Sequence, residues 1–257
     1  MHAVAIIRLQ STVEREAEAL AADLGTVSYE ERLKLAAGLP SVVLLTPDAT
    51  RAAALLDRVR GRGHVAVACA TDDVVPQAQM ISLRRFRLDD DALVAADRPD
   101  ARLPWSDLAA LIRATDRTRV ESVDQVKDKR FDLGRALATG GLIRSRTTRR
   151  EVTTRVDDSE QLLYLFRRSG QTPWILREQG THYGALGAQL ASTALPNFLA
   201  TVERLRLMAP EARVDERLLS RRLPRASAPL RGGRVTSAND LDLLAHLVAL
   251  DLAGHPA

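Results

Sequence analysis

Gln161-Leu-Leu-Tyr-Leu-Phe-Arg-Arg-Ser-Gly-Gln-Thr-Pro-Trp-Ile-Leu-Arg-Glu178, followed after a glycine-punctuated loop by Leu195-Pro-Asn-Phe-Leu-Ala-Thr-Val-Glu-Arg-Leu-Arg-Leu-Met-Ala-Pro210, decides the fold class. The first run holds two apolar, β-favouring segments around a Ser-Gly-Gln-Thr-Pro turn, so it reads strand, turn, strand. The second repeats its apolar residues at helical spacing and stops at a proline. Strands closed by a helix in sequence order imply α+β architecture.

The chain around this segment has 257 residues, enough for two domains. Its 46% hydrophobic content supplies a core, and with only 4% aromatics that core must be aliphatic and alanine-rich. No apolar run reaches the length of a membrane span. Met1-His-Ala-Val-Ala-Ile-Ile-Arg-Leu9 lacks a basic leader and reads as a strand. Cys69 is the single cysteine, which excludes an internal disulfide framework and leads us to expect a cytoplasmic protein. The net charge is only +4, so local clusters matter more than the overall balance.

Residues 2–9 form the first expected strand. Ser11-Thr-Val-Glu14 and Ser28-Tyr-Glu-Glu31 read as capping boxes, the first opening a helix that Gly25 ends. Ser41-Val-Val-Leu-Leu45 is a second strand. Thr46-Pro-Asp48 opens a third helix, with Thr as cap and Pro in the first turn. His64-Val-Ala-Val-Ala-Cys-Ala70 is a third strand. The order is β-α-α-β-α-β.

From Tyr29 to Cys69 this pattern resembles the C-terminal domain of the bacterial ribosomal stalk protein, a fold shared by the Clp-protease adaptor. The points of likeness are the helix after Ser28, Pro40 before a strand, the Thr46-Pro47-Asp48 helix start and Gly63 before His64. The resemblance implies the fold. It implies neither function: the stalk's lysine-rich helix face is reduced to Lys34 and scattered Arg, and Leu9-Gln10-Ser11 stands where the adaptor family has an Asn-Asp pair.

Polar, proline-containing Thr71–Gln79 marks the expected boundary between a first domain, residues 1–75, and a second, residues 80–213. In the second, Met80–Leu88 partly alternates as a strand does, Asp89-Asp-Asp91 is a turn and Ala92-Leu-Val-Ala95 is a short strand. Leu103–Ala114 fits a helix start or a strand carrying Leu108, Leu111 and Ile112 inward. Phe131–Leu142 reads as an inserted, partly helical hairpin. Arg144–Val156 has strand propensity and is expected to turn at Asp157–Glu160 and pair with Gln161–Arg167. Strands capped by one helix, with Leu103-Pro-Trp-Ser-Asp-Leu108 as a turn into a strand, resemble a pleckstrin-homology-like (GRAM or bacterial PH) domain. That implies a β-barrel or curved sheet. Residues 214–257 are expected to be an Arg- and Pro-rich tether and a last helix, capped from Ser237 and apolar on more than one face, which must be buried.

Chemistry-bearing residues are few. The five histidines show no metal spacing. Cys69 lies on an apolar strand and reads as a core residue, with a nucleophile beside Asp72 and Asp73 as the alternative. The Asp89–Asp91 run lacks the glycine and glutamate of a calcium loop and reads as a solvated turn. Gly180-Thr-His-Tyr-Gly-Ala-Leu-Gly187 lacks the Gly-Lys-Ser/Thr of a phosphate loop and reads as a connection. With no convergent catalytic set in sight, no cofactor is expected. The functional expectation is a non-enzymatic interaction or adaptor protein. Its binding residues are Lys127, Lys129, Arg130, Arg144, Arg146, Arg149, Arg150 and Arg155, on a hairpin spanning about 127–156. Such a ridge suits another protein with an acidic surface; the alternative partners are RNA or anionic lipid.

Overall fold

The computed structural model describes residues 1–98, 100–131, 145–220 and 241–254, and the side chains of these except 117–158. The chain divides into two units, Met1–Asp116 with Glu160–Ala257, and Arg117–Ser159.

The first unit begins with the expected β-α-α-β-α-β order: β1 (His2–Arg8), α1 (Val13–Leu24), α2 (Ser28–Ala36), β2 (Ser41–Thr46), α3 (Ala49–Gly61) and β3 (Val65–Ala70). The central strand β1 pairs antiparallel with both neighbours, Ala3 opposite Leu45 on one side and Cys69 on the other. Side chains alternate across the sheet. Val4 and Ile6 therefore pack against α1–α3 with Leu20, Leu35 and Leu55, while Ala3, Ala5 and Ile7 face the other way.

Helix ends depart from the sequence expectation by a residue or two. Thr12, not Ser11, caps α1 by accepting from the Arg15 amide, and Gly25 ends it at φ 71°. Helix α2 has no side-chain cap. Instead Glu31 is buried and accepts from the Thr26 hydroxyl at 2.9 Å and Lys34 at 2.8 Å. Asp48, not Thr46, caps α3 through the Thr50 and Arg51 amides, because its carboxylate is the stronger acceptor; the Thr46 hydroxyl accepts from the Asp48 amide.

After 3₁₀ turns at Thr71–Asp73 and Gln77–Gln79 come β4 (Ile81–Ser82), β5 (Phe86–Leu88), β6 (Ala92–Ala95), β7 (Arg102–Pro104), β8 (Leu108–Phe131), β9 (Ser145–Arg167) and β10 (Trp174–Arg177). Then follow α4 (Ala194–Met208), β11 (Arg213–Leu218) and α5 (Leu241–Gly254). Strands β5, β6 and β7 form a meander, and a five-stranded sheet runs β11-β8-β9-β10-β4. The β9–β10 hairpin read from the sequence is present, with Trp174 opposite Leu165 and Leu176 opposite Leu163.

Three expectations are corrected. The sheets are open and none closes into a barrel: β11 and β4 form parallel edge pairs with β8 and β10. Strand β9 runs unbroken through Asp157–Glu160, so no turn separates Arg144–Val156 from Gln161–Arg167. Part of the expected tether is β11, beside β8 with Val214 opposite Leu111. Of the expected partly helical hairpin at Phe131–Leu142 only the backbone of Phe131, in β8, is described; the rest of it and the Ser237 cap lie outside the described residues.

One face of the five-stranded sheet carries Leu111, Leu163, Leu165, Trp174 and Leu176 against Phe198, Val202 and Leu205 of α4 and against the meander. This is the helix-capped sheet expected from Gln161–Pro210. The opposite face carries Ile112, Leu162, Tyr164, Phe166 and Ile175. These join Ala3, Ala5 and Ile7 of β1 in one core with Leu243, Leu244, Ala245, Leu247 and Val248 of α5. A helix apolar on more than one face needs cover on more than one side, and α5 has a sheet on two. The first unit is therefore layered: α1–α3, the three-stranded sheet, α5, the five-stranded sheet, then α4 and the meander.

Candidate functional site

The eight hairpin residues fall in the second unit. The backbones of Lys127, Lys129 and Arg130 belong to β8, and those of Arg146, Arg149, Arg150 and Arg155 to β9. Their side chains lie outside the described residues, and Arg144 lies outside them entirely. The sequence adds a fact about this unit. Arg117–Ser159 contains eleven Lys and Arg against seven Asp and Glu, so it carries the chain's entire net charge of +4; the remainder balances to zero.

In the first unit, a pocket of about 530 Å³ opens where β1 ends, beside β11 and the end of α5. It is lined by Ile7, Arg8, Leu39, Arg213, Arg217, Ser220, Asp251 and Leu252. Arg217 is fixed: its guanidinium donates to Asp215 at 2.8 Å and to Asp251 at 3.0 Å. Burial alone would lower its pKa, but the two carboxylates more than offset this and raise it. Arg8 is exposed and Arg213 half-buried, and neither has an ion pair or side-chain hydrogen bond among the described residues. The register of β11 shifts between Asp215 and Leu218, so alternation along the strand does not tie Arg217 to Arg213. Arg8 is two hundred residues away in sequence, so no spacing signalled this site.

A second polar system starts in the core. The buried Tyr164 hydroxyl donates to Asp242 at 2.9 Å and accepts from the Gln77 side chain at 2.8 Å, while the Gln77 amide donates to Asp242 at 2.9 Å. Arg177 donates to the Gln77 side-chain oxygen Oε1 and, at 2.8 Å, to Glu160. Burial, then Asp242, push the Tyr164 pKa well above that of ordinary tyrosine. This network ties α5 to β9 and β10. Arg177 also borders a smaller pocket of about 340 Å³, with Ser82, Arg84, Gln179, Gly180 and Thr181.

A third cluster joins α1 to β3. The His64 Nδ1 accepts from the Gln10 amide at 3.0 Å, so Nε2 carries the proton and faces Glu16 at 2.7 Å. Arg62 grips the same carboxylate at 2.6 Å and Asp23 at 2.8 Å. Both ring nitrogens of His64 are thus committed to holding the helix on the sheet.

The remaining sequence candidates are also committed. Burial, then Asp73, push the Cys69 thiol up to about 11, so it holds its proton at neutral pH. Burial against Phe166, ring centroids 6.0 Å apart, holds the His246 pKa down, with Asp73 opposing. Asp89 and Asp91 pair with Arg87 and Arg102. The glycine loop is a packing device: Tyr183 and Leu186 are buried in the core, and the Tyr183 hydroxyl donates to the Glu178 carbonyl at 2.8 Å. Trp174 is a core residue, and Trp105 donates to the Asp89 carbonyl at 3.1 Å. Among the described residues no three His, Cys, Asp or Glu gather as metal ligands would. Among them, too, no helix is long and apolar enough to cross a membrane.

No protein-family model, curated protein or solved structure matches the chain.

Proposed function

We propose that this chain is an interaction protein of the adaptor type: Met1–Asp116 with Glu160–Ala257 is its platform, and Arg117–Ser159 contacts an acidic protein partner. One observation carries the reading. The platform is charge-balanced, and all the excess positive charge falls in the one segment that makes a unit of its own. Charge concentrated in this way favours encounter with a surface of opposite sign and disfavours partners of like sign. The layered platform also favours this reading, because its buried Glu16, His64 and Tyr164 are spent on holding layers together.

The test is affinity capture with cross-linking from the native cell extract, comparing wild type with a variant carrying Arg146→Ala, Arg149→Ala, Arg150→Ala and Arg155→Ala. The expected result is a partner of acidic composition, cross-linked within residues 117–159, lost at high salt and in the variant, and retained after nuclease treatment. Unchanged capture by the variant would overturn the proposal. Loss of capture on nuclease treatment would replace it with the nucleic-acid reading.

A further inference from the structure

We infer that the pocket between Arg8, Arg213 and Arg217 is a binding site for a small phosphomonoester with a compact aliphatic body. Charge sets the class of ligand. Three guanidiniums line the pocket against one lining carboxylate, Asp251. That carboxylate already serves Arg217, leaving Arg8 and Arg213 as two uncommitted cations among the described residues. A phosphomonoester carries close to two negative charges at neutral pH and offers three acceptor oxygens, and guanidinium forks match phosphate oxygens in pairs. A carboxylate would bring one negative charge and two acceptor oxygens, against close to two charges and three oxygens in a phosphomonoester.

The rest of the wall sets the body of the ligand. Ile7, Leu39 and Leu252 are aliphatic, and the lining holds no aromatic ring on which a base would stack. Ser220 adds a hydroxyl able to donate to a phosphate oxygen. A volume of about 530 Å³ lies within the range of small-molecule sites. The anchor is preorganised: Asp215 and Asp251 hold Arg217 on two sides, and Asp215 also accepts from the Arg217 amide at 3.0 Å. The smaller pocket has only Arg84 as an uncommitted cation among the described residues, because its Arg177 is occupied by Glu160 and Gln77.

Isothermal titration of the full chain with n-butyl phosphate, inorganic phosphate and butyrate tests the assignment. The expected result is saturable binding of butyl phosphate with a Kd on the order of 1 mM or tighter, weakening with added salt, and at least several-fold weaker binding of the other two. Arg8→Gln and Arg213→Gln should each weaken it about tenfold or more, while leaving the melting temperature without ligand unchanged, since neither side chain has a partner to lose among the described residues. Three results would overturn the assignment: no saturable binding, butyl phosphate binding unaltered in the double variant, or inorganic phosphate binding as tightly as its butyl ester.

Discussion

Leu247→Ala removes a fully buried side chain from α5, the layer between the two sheets. Truncating a buried leucine costs roughly 2–5 kcal/mol, because the lost transfer energy is joined by that of a cavity which neighbours refill only in part. Here the neighbours are strands of both sheets, which are hydrogen-bonded in register and poorly able to collapse inward, so a value of about 3 kcal/mol or more is expected. For a unit of this size that corresponds to a melting temperature roughly 6–12 °C lower. Leu250→Ala, on the same helix but 37% exposed, should cost under about 1 kcal/mol. The assay is thermal unfolding followed by two probes. Tryptophan fluorescence reports on Trp174, in the core on the α4 side of the five-stranded sheet, and on Trp105, packed against the same core, while far-ultraviolet circular dichroism is weighted toward the helices, α1–α3 prominent among them. Since α5 shares its core with β1 and with β8–β10, both probes should shift together in a single transition. A shift in one probe with the other melting as in wild type would refute the shared core.

Other outcomes follow from the polar clusters. Glu16→Ala strands the buried His64 Nε2–H and removes one of the two carboxylates on Arg62, so it should cost about 2–4 kcal/mol in chemical denaturation; a loss under about 0.5 kcal/mol would contradict the contact. With its thiol raised to about 11, Cys69 should label slowly in the native protein at pH 7.5, and faster about tenfold per pH unit above that. Rapid labelling at neutral pH would return it to the list of nucleophiles. The folded-state pKa of His246 lies below the unfolded value near 6.5, so its contribution is complete above that pH and is lost as the pH falls through and below it. His246→Gln should flatten this part of the stability–pH curve, whereas a slope unchanged in the variant would place the titration elsewhere.

The parts of the fold legible in the sequence were those where local signals agree with tertiary demands. Strand β1, the helix stop at Gly25, the β9–β10 hairpin and α4 each combine period, turn residues and breakers pointing the same way. Helix α5 was legible as buried because it is apolar on more than one face. Helix starts slipped because Ser11, Thr12, Thr46 and Asp48 all cap well, and only geometry selects among them. Asp157-Asp158-Ser159 has the composition of a turn, yet β9 continues through it: pairing in a sheet overrides local preference. Strand β11 was hidden because Arg213, Asp215, Glu216 and Arg217 make it read as solvated chain; its order comes from β8 alongside and from Arg113, which bridges Glu216 and Gln161. Of the candidate sites, the basic hairpin was visible as a local run of charge. The Arg8, Arg213 and Arg217 pocket was not, since β1 and β11, about two hundred residues apart in the chain, assemble it.

Replacing Arg117–Ser159 with a short glycine–serine turn joining Asp116 to Glu160 separates platform from contact segment. The Arg113 contact to Gln161 at 2.8 Å shows that β8 and β9 lie side by side at this point. The shortened chain should melt within a few degrees of wild type and capture none of the acidic partner that the full chain retains. A folded, shortened chain that still captures the same partner would contradict the assignment of binding to this segment.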